Sequence, residues 1–544
     1  MEKVLKKNVT DLSNLSHDEL VKMYINLQTE YDSAMAKMKW YEEQYRAASE
    51  KRYGTSSEKN IPGQITFQDL QIFNEAEALR EPINIEPQEE DLPIADNKKK
   101  GKKPKNLKTL PVITETFMLN YEDQVCDKCG NELHEMKDEI RLEIEVIPAK
   151  VQVHKYISKI YACRCCEKKG NSNIVKAPGT PTAIIPKSMA SASLIADAVS
   201  KKYVDATPFY RQEQNYKRQG IPITRNNLCN WTIKVSNDYF KSIVNRMREI
   251  MYSDDVIHCD ETFVEVLNEP RKPAYTKSYI WVTSTPKYRK DLQIALYNYK
   301  DSRSQVAARE VLKGYEGYIM CDGYAVYDAI AKKGSQGEEP MNTKAVACLV
   351  HVKRKFNEAL KLLSPSKRND SSAKIAVDMI SKIFKADEEF DEMGIEERKN
   401  ARLEKLKPML EEFFTWVKSE YDQTLPKTKY GQALEYAISQ EEKVLRVLED
   451  GRLELDNNKA ERTVKPFVIG RKNWLFSDTP QGAEASCILY SIVETAKINN
   501  LIPFEYIKYV LEKLAGKSCP TKEEIEELMP WSKSIPDYVR NPAE

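Results

Sequence analysis

Residues 256–267 read Val256-Ile257-His258-Cys259-Asp260-Glu261-Thr262-Phe263-Val264-Glu265-Val266-Leu267, a β-branched run with two carboxylates at its centre. Such residues fit a pleated strand, and the helical spacing of the preceding segment stops at Asp254. Further along the chain, Tyr279–Ser284 and Leu292–Tyr299 alternate with the period of two expected of half-buried strands. Arg303–Lys313 has helical spacing and stops at Gly314, while Tyr318–Asp322 and Ala345–Val350 are short apolar strands. The predicted order is three consecutive strands, a helix, a fourth strand, a helical or loop segment, and a fifth strand.

That is the order of a ribonuclease-H-like sheet, in which the first three strands meander antiparallel and the later ones add in parallel through crossovers. The predicted fold class is therefore multidomain α+β with a ribonuclease-H-like mixed sheet as catalytic domain. In this topology the middle of the first strand lies beside the end of the fourth, which would bring Asp260 and Asp322 together, with Gly323 permitting a tight exit. A third carboxylate should come from a helix after the fifth strand. Glu461 fits, in Leu455-Asp456-Asn457-Asn458-Lys459-Ala460-Glu461-Arg462, with Asp456 as N-cap and Pro466 limiting the helix. Spacing alone leaves Asp254, Asp255, Glu261, Glu454 and Asp456 as rivals, and periodicity does not decide Glu461 over Asp456.

Three carboxylates suit phosphodiester chemistry. Two Mg²⁺ about 3.5–4 Å apart can activate a nucleophilic oxygen and stabilise a leaving one, and hard carboxylate oxygens suit Mg²⁺. The expected cofactors are two catalytic Mg²⁺, with Mn²⁺ able to take their place, and one structural Zn²⁺. The zinc expectation rests on Cys126-x-x-Cys129 and Cys163-x-x-Cys166, each of which presents two sulfurs on one side of a bend. Two short hairpins pinned by one ion, a zinc ribbon, fit the alternating stretch between the pairs. Cys165 makes the second knuckle ambiguous, and His154 reads as a polar strand residue.

Between Met189 and Ser253 three helices are expected, around Leu194–Tyr203, Pro208–Gly220 and Thr224–Val235, with Lys217, Arg218, Arg225 and Lys234 exposed. A helix-turn-helix DNA reader and an ordinary helical subdomain fit these residues equally. Near the N-terminus, Leu20, Tyr24, Leu27, Tyr31, Ala34, Met38, Tyr41 and Tyr45 alternate steps of four and three, a heptad seam that predicts helical pairing. A lysine-rich arm, Asn97–Lys108, follows an acidic stretch and suits DNA phosphates within a solvated linker.

The bulk numbers agree with this organisation. A chain of 544 residues exceeds one ordinary core, and 41% hydrophobic content can supply several. The net charge of +1 hides this local segregation of charge. No apolar run of about eighteen residues occurs and the start is polar, which predicts a cytoplasmic, nucleoid-associated protein with no membrane partner. In that compartment eleven cysteines do not imply a disulfide framework.

Several longer motifs then stand in one collinear series. They are Tyr53-Gly54-Thr55-Ser56-Ser57-Glu58-Lys59, the two C-x-x-C pairs, Tyr210-Arg211-Gln212-Glu213, Cys259-Asp260-Glu261-Thr262 and Cys321-Asp322-Gly323-Tyr324. His351 with Arg354-Lys355-Phe356, Asp456-Asn457-Asn458 with Ala460-Glu461-Arg462, and Ile469-Gly470-Arg471-Lys472-Asn473-Trp474 complete it. Together they resemble transposases of the insertion-sequence 66 family over nearly the whole chain. The resemblance implies a DDE-type transposase that cleaves transposon ends and transfers them to target DNA. It selects Asp260, Asp322 and Glu461 as the triad and Cys126, Cys129, Cys163 and Cys166 as zinc ligands, and suggests accessory element-encoded proteins. Val352, Lys353 and the extra Cys165 are mild departures.

Arg462, Lys465, Arg471, Lys472 and Trp474 flank Glu461 and are expected to hold the transposon end by phosphate contact and base stacking. His351 reads as the end of the fifth strand. The expected division is an N-terminal coiled coil (1–53), linker (54–110), zinc finger (111–180), helical segment (181–250), catalytic core (251–359 and 454–500), helical insertion (360–453) and helical tail (501–544). DNA is the expected partner and a homodimer or higher oligomer the expected state. The competing readings are an inactive zinc-containing DNA-binding regulator and a structure-specific nuclease of the same fold.

Overall fold

The computed structural model describes residues 151–162, 174–176, 178–270, 276–333, 337–517 and 519–542, with isolated helical positions at Val21, Lys22, Tyr24, Gln28 and Met38. The lysine-rich arm, the four cysteines expected to bind zinc and most of the heptad seam lie outside the described residues; of the seam, Tyr24 and Met38 are helical and exposed.

The chain divides into two compact units, residues 67–182 with 540–544, and residues 1–66 with 183–539. In the smaller unit β1 (Ile160–Ala162) pairs antiparallel with β2 (Ile174–Lys176), either side in sequence of Cys163 and Cys166. His154 precedes β1 in an exposed unpaired stretch, its ring stacked on Tyr156, so it is not a strand residue here.

The larger unit opens with helices α1 (Ala192–Tyr203), α2 (Phe209–Arg218) and α3 (Arg225–Val235), close to the predicted three. Ser191 accepts from Leu194 N at the start of α1, and Thr224 and Asn227 form a reciprocal capping box at α3. A π-helical turn, Ser236–Phe240, carries α3 on into α4 (Lys241–Met251).

The sheet follows: β3 (Val256–Val266), β4 (Lys277–Ser284), β5 (Ala295–Lys300), α5 (Gln305–Val311), β6 (Gly317–Cys321), α6 (Val326–Ile330) and β7 (Thr343–Ala347). Its spatial order is β5-β4-β3-β6-β7, antiparallel among β3, β4 and β5 and parallel among β3, β6 and β7. The protein is thus a mixed α/β structure around a mixed sheet. The predicted fifth strand is shorter than Ala345–Val350: it ends at Ala347, and helix α7 (Leu349–Lys361) begins two residues later. Leu349, Val352, Phe356 and Ala359 are buried at helical spacing, so burial of that stripe favours the helix, and His351 belongs to its first turn.

Beyond α7 come α8 (Pro365–Arg368), α9 (Ser372–Glu388), α10 (Ile395–Ala401), α11 (Lys407–Asp422) and α12 (Lys429–Leu445), the predicted helical insertion. Helices α7, α9, α11 and α12 share a buried core with Val256, Met320 and Val346 of the sheet, so the insertion is a layer of the fold. A second core joins α1–α4 to other sheet residues and to α13 (Asn458–Trp474), α14 (Pro480–Ile498) and α15 (Pro503–Leu514). A short strand β8 (Phe476–Ser477) pairs with the end of β3, and α16 (Lys522–Glu527) lies near the C-terminus.

Helix α13 does not stop at Pro466. A proline removes one donor, here to Arg462 O, while Val464, Phe467 and Gly470 keep a buried stripe running through it. The Tyr297 hydroxyl donates to the carbonyl of Thr463 in the same stretch. The N-cap is Asn457 rather than Asp456, although the Asp456 carboxylate does accept from Asn458 N at 2.9 Å.

Candidate active site

β3 loses its parallel neighbour just before Asp260. Pairing with β6 covers Val256–His258, whereas pairing with β4 continues through Asp260↔Val282 to Glu265↔Lys277. β6 ends at Cys321, so Asp322 emerges where the two strands part. Glu461 arrives from the first turn of α13, which packs on β3 and β4. His351 and Arg354, one turn apart on α7, flank it: His351 Nε2 lies 3.7 Å and an Arg354 Nη 3.5 Å from Glu461 Oε1.

Four acidic side chains lie within electrostatic reach of one another. Burial, and then the charges of Glu261, Asp322 and Glu461, hold the Asp260 carboxyl well above the ordinary carboxylate range. Glu261, which alternation places on the opposite face of β3, is also pushed up, by burial and by Asp322. Arg303 restrains that rise: its guanidinium bonds Glu261, lies 3.7 Å from Asp322 Oδ2 and stacks 3.7 Å over the Tyr324 ring. The Tyr327 hydroxyl donates to Glu261 Oε2 at 2.7 Å. Burial and Arg354 lower the His351 pKa, against the pull of Glu461 and Asp322. Glu461 Oε1, His351 Nδ1 and Arg354 Nε are all buried without a hydrogen-bond partner.

Asp322 is held by its neighbours on the chain, its Oδ1 accepting from Tyr324 N at 2.9 Å. Gly323 serves close approach, since a Cβ there would overlap the hydroxyl of Tyr436 from α12 of the insertion. Among the described residues, no three His, Cys, Asp or Glu side chains are grouped so that they could hold a metal ion as they stand.

Three of the rival acids are engaged elsewhere. Asp254 accepts from Tyr288 and Arg289, Asp255 from Arg452, and Glu454 lies against His258 and Lys287. On α13, Lys465 and Lys472 follow Glu461 at helical spacing along one stripe, and Arg462 and Lys472 are exposed. Arg471 sits 3.8 Å over the Phe263 ring and donates to Thr262 Oγ1 at 3.2 Å. Trp474 packs edge-on against Tyr203 and tilted against Tyr490. Arg303 and Tyr436 were not singled out from sequence, because neither carries a local signal: each reaches the site only through tertiary contact.

Comparison with known proteins agrees with the series of motifs. The profile described as Transposase IS66 family matches residues 187–485, more than half of the chain. The IS66 C-terminal element matches residues 491–531, and the zinc-finger binding domain of transposase IS66 matches 123–167, a span containing both C-x-x-C pairs. An uncharacterized Sinorhizobium fredii protein, y4jD, is 27% identical over 433 residues, covering 79% of this chain and 81% of its own. Another from that organism, y4hP, is 23% identical over 422 residues, covering 75% and 73%.

Proposed function

Because the chain belongs to the Transposase IS66 family, we propose that it cuts the ends of a mobile DNA element and joins them to target DNA, using divalent metal held by Asp260, Asp322 and Glu461. The observation that carries this reading is the convergence of three carboxylates from three separate elements, with Asp260 feeling the charge of both others. The sheet order β5-β4-β3-β6-β7 supports the ribonuclease-H-like reading of the domain.

The residues fit Mg²⁺. They offer hard oxygen donors, they repel one another as they stand, and Glu461 Oε1 is buried without a hydrogen bond. When bound, such ions polarise the scissile phosphate and make a water or a 3′-hydroxyl nucleophilic near neutral pH. The protein's own groups do the rest. Arg303 keeps Glu261 engaged and leaves Asp322 turned to the site, and Arg354 with His351 fixes the Glu461 side chain. Lys465 and Lys472 extend the same face of α13 by about 16 Å from Glu461, a track for DNA phosphates, with Arg462 and Arg471 beside it. Trp474, packed on Tyr203 and Tyr490, offers an indole edge at the end of that track. The exposed side of the first two turns of α3, with Arg225, Asn226 and Asn230, suits major-groove reading. The heptad seam suits pairing of two chains, and Cys126, Cys129, Cys163 and Cys166 suit one zinc ion.

The test is incubation of the purified protein with Mg²⁺ and labelled element ends. Nicking and joining are expected from the wild type, with at least a hundredfold loss in Glu461→Gln. Unchanged activity in that variant overturns the assignment, and cleavage without joining indicates a nuclease.

A further inference from the structure

The helix that carries Glu461 begins with an anomaly. Asparagine is a favoured N-cap because its side chain usually accepts from the helix's own amides, yet Asn457 makes no such bond. Its side chain, 1% exposed, is turned into the sheet instead. Asn457 Nδ2 donates to Cys259 O at 2.8 Å, at the residue before Asp260 and the first beyond the β3–β6 pairing. With Nδ2 spent as donor, Oδ1 is left to accept from His258 Nδ1, 2.8 Å away. His258 is fully buried on β3 and turns Nε2 toward Glu454 Oε1 at 3.4 Å.

The backbone around Asn457 is stitched in the same way. Asn457 N donates to Cys348 Sγ at 3.3 Å, and Leu349 N, at the start of the His351 helix, donates to Leu455 O at 2.8 Å. Asn457 O accepts from Glu461 N at 3.2 Å. One side chain and one peptide thus tie together the strand of Asp260, the end of β7 and the first turn bearing Glu461. Asn457 takes over as hydrogen-bond partner where β6 diverges from β3, at the point where Asp260 and Asp322 are released toward each other.

We propose that Asn457, braced by His258, is a positioning residue that sets Glu461 relative to Asp260 and so determines how tightly the carboxylates grip divalent metal. The inference rests on the metal-site reading given above. Groups that orient ligands without touching the ion commonly change affinity by about 10–100-fold.

Calorimetric titration of the full-length protein with Mn²⁺ tests it, alongside circular dichroism to establish folding. Asn457→Ala is expected to stay folded and bind Mn²⁺ about tenfold more weakly. His258→Leu should do the same, whereas His258→Asn, which can still donate to Asn457 Oδ1, should recover most of the affinity. That recovery separates positioning from packing, and the His258 pair decides the matter should Asn457→Ala fail to fold. Wild-type affinity in a folded Asn457→Ala or His258→Leu protein, or equal loss in both His258 variants, overturns the proposal. Should Glu461→Gln itself bind Mn²⁺ like the wild type, the metal-site reading has failed instead.

Discussion

At the scale of single residues the molecule pairs buried charges that have separate tasks. Glu454 is pushed upward by burial, but His258 and Lys287 outweigh that and bring its carboxyl down from 4.5 to about 2. A folded-state pKa below the unfolded one means stability that is present above pH 4.5 and is lost as pH falls toward about 2. Glu454→Gln should therefore cost about 3 kcal/mol near neutral pH, the order expected when one partner of a buried pair is removed, and progressively less in acid. Denaturant titrations of both proteins at two pH values check this; a constant difference contradicts it. Asp260 and Glu261 show the opposite pattern, with carboxyls raised by burial and like charge. Those carboxylates strain against each other, while Glu454 faces the cationic groups of His258 and Lys287.

At the scale of elements, the π-helical turn Arg402–Leu406 places Arg402, fully buried, between the Asp387 carboxylate and the carbonyls of Val447 and Leu453. It ties the early insertion helices to the chain returning toward β3. Arg402→Ala leaves Asp387 with Arg398 as its remaining cationic partner and the carbonyls of Val447 and Leu453 without their donor, and should destabilise the protein by about 3 kcal/mol. Arg402→Met with Asp387→Leu should recover much of that; equilibrium unfolding of the wild type and the two variants measures both. Elements with a strong local period were legible in the sequence. The β-branched run around Asp260 and the apolar Tyr318–Cys321 reappear as β3 and β6, and the helices around Leu194 and Leu228 as α1 and α3. Local signals misled where long-range burial outweighed them: Pro466 lies inside a helix held by Phe467 and Gly470, and His351 joins a helix because Val352 and Phe356 find the insertion's core.

At the scale of the whole chain, the candidate active site and the span that matches the zinc-finger domain fall into different compact units. Metal analysis is expected to find one zinc per chain, absent after Cys126→Ser with Cys129→Ser; equal zinc in both proteins excludes the four-cysteine site. Among the described residues no helix is long and apolar enough to cross a membrane. The candidate site was legible in its carboxylates, because each sits in a short recognisable word. Its supports were not: Asn457 meets Cys259 across 198 residues and Tyr436 meets Gly323 through a whole inserted layer, distances over which local sequence carries no signal.

That separation also has a meaning in time. A ribosome adding about 5–20 residues per second needs roughly 10–40 s to travel from Cys259 to Asn457. For about the last two-thirds of that interval the nascent chain holds both Asp260 and Asp322 and lacks the segment that carries Asn457 and Glu461. Messages truncated within the insertion would yield chains without Glu461, and under the proposed function such unfinished copies would lack one of the three carboxylates that DNA cleavage requires.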